Sequence, residues 1–139
     1  MRHAVAEAIK KLPAYSAVDT VVPRTRMPEL IRRAHAAAKA FGVEVVCFGH
    51  AGDGNIHIDF VCRKAGDPAW AAGIGPAVRA VLVATVELKG SITAEHGVGV
   101  LRRDDMPLQF DAETLHAMRA LKTALDPKGL LNPGKIWPA

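Results

Sequence analysis

The chain is poor in the residues that staple, stack or span. It has two cysteines, Cys47 and Cys62, too few for a disulfide framework, and no CxxC pair suggests a zinc knuckle. Aromatic residues make up only 5% of the 139, and none is interleaved with the basic pairs Lys10-Lys11, Arg32-Arg33 and Arg102-Arg103. The net charge of +4 therefore lacks the stacking platform that single strands require, and no nucleic-acid partner is expected. Small anionic substrates fit scattered arginines at least as well. Uninterrupted apolar runs are also missing. The most apolar stretch, residues 69–88, contains Pro76 and Arg79 and ends near Glu87 and Lys89, so it reads as an amphipathic helix rather than a transmembrane segment. No secretory signal precedes the first helical pattern, and a cytoplasmic location is expected. Finally, GxxxxGK[ST] is absent and no GxGxxG opens a helix after a strand, which removes the usual phosphate-cradling loops.

What is present is an ordinary globular composition, 50% hydrophobic and 23% charged, in a chain of one domain's length. There is room for a core but not for a large cofactor domain beside a substrate domain. Residues 1–11 read as a helix stopped by Pro13, and Thr20-Val21-Val22 as a short extended piece before Pro23. Pro28 opens a second helix to about residue 40, with Gly42 past its end. Strands follow at 43–49 and 56–62, then a long helix over 67–88, either continuous or broken near Pro76. Residues 91–94 read as a third strand, and 111–125 as a last helix capped by Asp111. The order αβαββαβα predicts an α+β fold, with helices over one face of a mostly antiparallel sheet.

The segment Phe48-Gly49-His50-Ala51-Gly52-Asp53-Gly54-Asn55-Ile56-His57-Ile58-Asp59 holds the most chemistry. Asp-Gly between two apolar runs is a strong hairpin signal. With Asp53 and Gly54 as a two-residue loop, His50 faces His57, their Cβ atoms about 5 Å apart. Two imidazoles so placed suit a single metal ion at ~2.1 Å. That register gathers Val45, Cys47, Ile56, Ile58, Phe60 and Cys62 on the other face, all apolar, and puts Asp59 on the face of His57. A wider loop using all three glycines weakens the pairing without separating the histidines by much. Farther on, Glu95-His96-Gly97-Val98-Gly99 follows a strand. Glu95 and His96 can serve one site only if the chain kinks, which the glycines permit. Two histidines and a glutamate form a common three-ligand set with an open position, and His96 is left as an acid/base. The cysteines read as small core residues.

These segments, with Asp126-Pro127 through Leu131-Asn132-Pro133-Gly134-Lys135, together resemble the C-terminal domain of the FAD-linked oxidases that act on 2-hydroxy acids. That family includes D-lactate dehydrogenase, D-2-hydroxyglutarate dehydrogenase and the glycolate oxidase D subunit. The resemblance spans about residues 19–135. It implies a ferredoxin-like cap domain, single over residues 1–139, that covers a flavin held by a separate N-terminal domain or partner chain. It also implies a divalent metal, typically zinc, on His50, His57 and Glu95, with His96 as the base that takes the hydroxyl proton. By the same resemblance Arg2 grips the substrate carboxylate, Asp59 stands where relatives that favour 2-hydroxyglutarate have asparagine, and Asn132 approaches FAD. The expected partners are a small 2-hydroxy acid and a flavin-binding domain or subunit, with self-association through an exposed docking face. Two other readings are a truncated cap that binds without turnover, and a free-standing metallohydrolase on the same three ligands.

Overall fold

A computed structural model describes residues 2–137, the side chains of Arg2 and His3 excepted. The described chain forms two compact units, one running to Glu95 and the other from His96.

The first unit opens with α1 (Arg2–Lys10), which packs on β1 (Ala14–Val21) and buries Ile9. A short 3₁₀ turn leads into α2 (Met27–Ala40), with Pro28 in its first turn where no backbone N–H is needed. Leu30, Ala34 and Ala38 recur at helical spacing and are buried. Gly42, at φ 67°, ends the helix as Val43 N–H reaches back to the Ala38 carbonyl (2.9 Å), the bond that closes a Schellman cap. β2 (Glu44–His50) and β3 (Asn55–Cys62) follow as a hairpin, then α3 (Pro68–Glu87), capped by the Asp67 carboxylate on Ala69 N–H.

The sheet order is β1-β3-β2, with β3 antiparallel to both neighbours. β1 and β2 are therefore parallel, joined by α2, with β3 inserted between them. This split β-α-β arrangement, followed by α3, is the ferredoxin-like pattern expected of the chain. The apolar face carries Val18, Ile56, Ile58 and Phe60, all essentially inaccessible. α2 and α3 pack on each other and on the sheet, contributing Leu30, Ala77, Val81 and Leu82 to the same core. By length and composition α3 could cross a membrane, yet here it buries its Ala77–Val78–Val81–Leu82 stripe inside the unit.

Two local expectations are corrected, and the alternative left open at Pro76 is decided. β1 covers eight residues where only Thr20-Val21-Val22 reads as extended, because alternation along Ala14–Val21 is masked by small and polar side chains. α3 runs unbroken through Pro76. Residues 91–94 form no strand. Only Ser91 bridges the free edge of β1, exchanging both backbone bonds with Val21 (2.8 and 3.2 Å). That is where a fourth ferredoxin-like strand would lie. Gly90 makes the approach feasible, since a Cβ there would sit 2.3 Å from the Val21 carbonyl oxygen.

The second unit contains α4 (Ala112–Leu125), capped by Asp111 on Thr114 N–H (2.8 Å). No side chain of α4 is buried. Beyond it, the Asp126 carboxylate accepts the N–H groups of Leu130 (3.0 Å) and Leu131 (2.9 Å), and Lys122 bonds both Asp126 and the Leu131 carbonyl.

Candidate metal centre

The sheet face opposite the core is unusual in being buried and polar. Central strand β3 presents Asn55, His57 and Asp59 there, all less than 10% exposed, and Asp19 of β1 lies directly opposite His57. Polar groups so enclosed must find partners. Asn55 Nδ2 donates to Asp19 Oδ1 (2.7 Å) and to the Thr20 carbonyl (2.9 Å).

The hairpin register differs from the expected one. His50 pairs with Asn55 and Phe48 with His57, so Ala51 to Gly54 form a four-residue loop. A two-residue type I′ loop needs positive φ at both of its residues. Gly54 has it (φ 85°), but Asp53 does not, and its carboxylate instead accepts Asn55 N–H (3.4 Å). Gly54 is required, because a Cβ there would lie 2.1 Å from the Val22 carbonyl oxygen. The difference from the expected pairing is two residues, and two residues is one full side-chain period, so every residue keeps its face. His50 becomes a diagonal rather than a direct neighbour of His57. Their rings still meet edge to face, with centroids 5.6 Å apart. Phe48 packs on His57 from the same strand as His50, at 5.1 Å.

Glu95 reaches these rings from the irregular segment after Ser91. Its Oε1 lies 3.1 Å from His57 Nε2 and 3.7 Å from His50 Nε2. Around a tetrahedral zinc with ~2.1 Å bonds, neighbouring ligand atoms stand about 3.4 Å apart, and the two observed distances bracket that separation. The ligand atoms of Asp19, His57 and Glu95 also lie within 4.8 Å of one another. Two imidazoles and a carboxylate suit zinc and its borderline neighbours better than calcium or magnesium. Glu95 is half-exposed and His57 nearly enclosed, so the cluster has a closed floor and an open side.

The other candidates fall as follows. Asp59 is buried two residues beyond His57 on the same face, opposite Ala17 and Val46. His96 follows Glu95 and begins the second unit, where Gly97 and Gly99 take the left-handed conformations that a kink needs. Asn132 is itself left-handed (φ 49°), and its Oδ1 accepts from Lys135 Nζ (2.8 Å). The backbone of Arg2 begins α1, while its side chain lies outside the described residues. Cys47 pairs with Ile58 on the apolar face, where burial, helped by the charge of Asp59, pushes its thiol up to about 11. Asp19 is the residue that sequence reasoning misses. The available signal was an acid between Val18 and Thr20 in a β-branched run.

The sequence profile described as FAD linked oxidases, C-terminal domain, matches residues 1–136. The chain belongs to that family. This FAD-linked oxidase C-terminal domain is 31% identical to glycolate oxidase subunit GlcD of Bacillus subtilis, over 98% of its own length and 29% of the relative's. It is 32% identical to D-lactate dehydrogenase of Archaeoglobus fulgidus, over 98% and 29% respectively. Against mitochondrial D-2-hydroxyglutarate dehydrogenase of Bos taurus the identity is 33%, over 99% and 25%. The domain thus spans between a quarter and three-tenths of the length of these relatives.

Proposed function

We propose that this FAD-linked oxidase C-terminal domain is the substrate- and metal-binding cap of a flavin-dependent 2-hydroxy-acid dehydrogenase or oxidase. The convergence of His50 Nε2, His57 Nε2 and Glu95 Oε1 at near-ligand spacing carries the reading. The names of the relatives support the substrate class, because glycolate, D-lactate and D-2-hydroxyglutarate all carry a hydroxyl next to a carboxylate. A divalent cation on the three ligands, zinc by donor type, supplies a Lewis acid for those oxygens. FAD, held by a partner domain or subunit, supplies the hydride acceptor. The chain's own residues do the remaining work. His50, His57 and Glu95 fix where the hydroxyl end of the acid binds. Arg2 clamps the carboxylate with its guanidinium fork, and His96 takes the hydroxyl proton. Asp59 sets part of the pocket beyond the hydroxyl carbon, and Asn132 faces the flavin side.

The test is zinc titration of the chain followed by assay with a flavin-holding partner. Wild type should take up one zinc, and His57→Ala should lose it. The chain by itself should be colourless and should not oxidise 2-hydroxy acids with an artificial acceptor, whereas the reconstituted pair should. Unchanged zinc content in His57→Ala sinks the ligand assignment.

A further inference from the structure

We infer that Asp19 is a positioning residue for the metal centre, orienting His57 and Glu95 without itself ligating; the inference rests on the metal reading above. Asp19 lies on β1 at the position paired with His57 and is 7% exposed. A carboxylate in such surroundings persists only when it is hydrogen-bonded on all sides. Its two oxygens are used differently. Oδ2 accepts the backbone N–H groups of Ala94 (3.1 Å) and Glu95 (2.8 Å). Oδ1 accepts from Asn55 Nδ2 (2.7 Å) and lies 3.4 Å from His57 Nδ1.

For Glu95 these bonds are an anchor. Its segment has no strand ladder beyond the single bridge at Ser91. The bonds to Asp19 are what pin the Glu95 backbone beside the sheet, 76 residues away in sequence. His57 gains as well. A carboxylate on the Nδ1 side holds the ring in plane and favours a proton there, leaving the Nε2 lone pair turned toward Glu95 and His50. Asn55 completes the arrangement, since its amide is fixed as a donor by bonding Asp19 and the Thr20 carbonyl together. Asp19 therefore bonds the parts that build the site, whereas Glu95, half-exposed and pointing its Oε1 at both imidazoles, does the ligating.

Zinc affinity of the full chain, by competition with a chelating dye, and amide hydrogen exchange without metal test the inference together. In Asp19→Asn, zinc binding should weaken about 10- to 100-fold, the range for partners that orient a ligand. The amides of Ala94 and Glu95 should lose protection while that of Ile58, in the core of β3, keeps it. A merely structural role would lower protection across β3 as well. Zinc affinity equal to wild type overturns the inference, and so does a loss as complete as that in His57→Ala, which would make Asp19 a ligand. Should Asp19→Asn fail to fold, a crystal structure of the zinc-loaded wild type decides. Asp19 still on the Glu95 N–H and His57 Nδ1 supports the inference; an Asp19 oxygen within ~2.2 Å of the ion overturns it. Wild-type chain that takes up no zinc overturns the metal reading and this inference with it, whereas zinc uptake unaffected by Asp19→Asn overturns this inference alone.

Discussion

Asp126 shows how a single carboxylate can organise a turn. The Lys122 ammonium beside it, together with the Leu131 and Leu130 N–H groups it accepts, holds its carboxyl below the ordinary 3.8. A group whose pKa is depressed on folding stabilises the fold above its unfolded value and loses that contribution as pH falls through the folded one. The amide resonances of Leu130 and Leu131 should therefore stay constant through the usual aspartate range and move only at lower pH. In Lys122→Met the midpoint of that movement should rise, because the largest cause of the depression is gone. An unchanged midpoint in the variant would show that the backbone bonds alone set it. Asp19, also buried, likewise accepts two backbone N–H groups, those of Ala94 and Glu95.

At the scale of elements, the hairpin of β2 and β3 was legible in its faces and not in its pairing. Alternation alone assigns Ile56, Ile58 and Phe60 to the core and His57 and Asp59 to the other side, and the observed strands agree. Pairing depends on the loop, and the loop depends on whether Asp53 takes positive φ, which its side-chain bond to Asn55 N–H removes the need for. In the sequence β1 reads short because only Thr20-Val21-Val22 forms a β-branched run, although pairing with β3 extends the strand back to Ala14. The central strand bears most of the packing. Phe60 is fully buried beneath α2 and α3, so Phe60→Ala should cost about 3–5 kcal/mol, read as a lowered denaturant midpoint at unchanged slope. A loss below about 1 kcal/mol would mean the core closes over the gap.

For the whole molecule, the metal and the fold should be thermodynamically linked. The proposed ligands His50, His57 and Glu95 come from the end of β2, the middle of β3 and the segment after α3, so an unfolded chain cannot present them together. Zinc at about 100 times its dissociation constant should then stabilise the wild-type chain by about 2.7 kcal/mol. In a thermal melt this appears as a zinc-dependent rise in midpoint, absent in His57→Ala. Equal rises in both chains would place the ion elsewhere. The second unit exposes Leu121, Leu125, Leu130 and Leu131, each by more than half.

The amino-acid sequence by itself determined which residue types could meet a metal, which strand faces are apolar, where helices begin and end, and the family resemblance carried by three separated motifs. These are local properties, set by periodicity, capping and glycine placement within a few residues. Tertiary structure alone decided that His57 pairs with Phe48 and Asp19, that residues 91–94 make one bridge instead of a strand, and that Asp19 holds the backbone of Glu95. Apart from the hairpin pair, which the loop sets, each of these joins segments far apart in the chain, so its energy depends on where the rest of the sheet has already placed the partner.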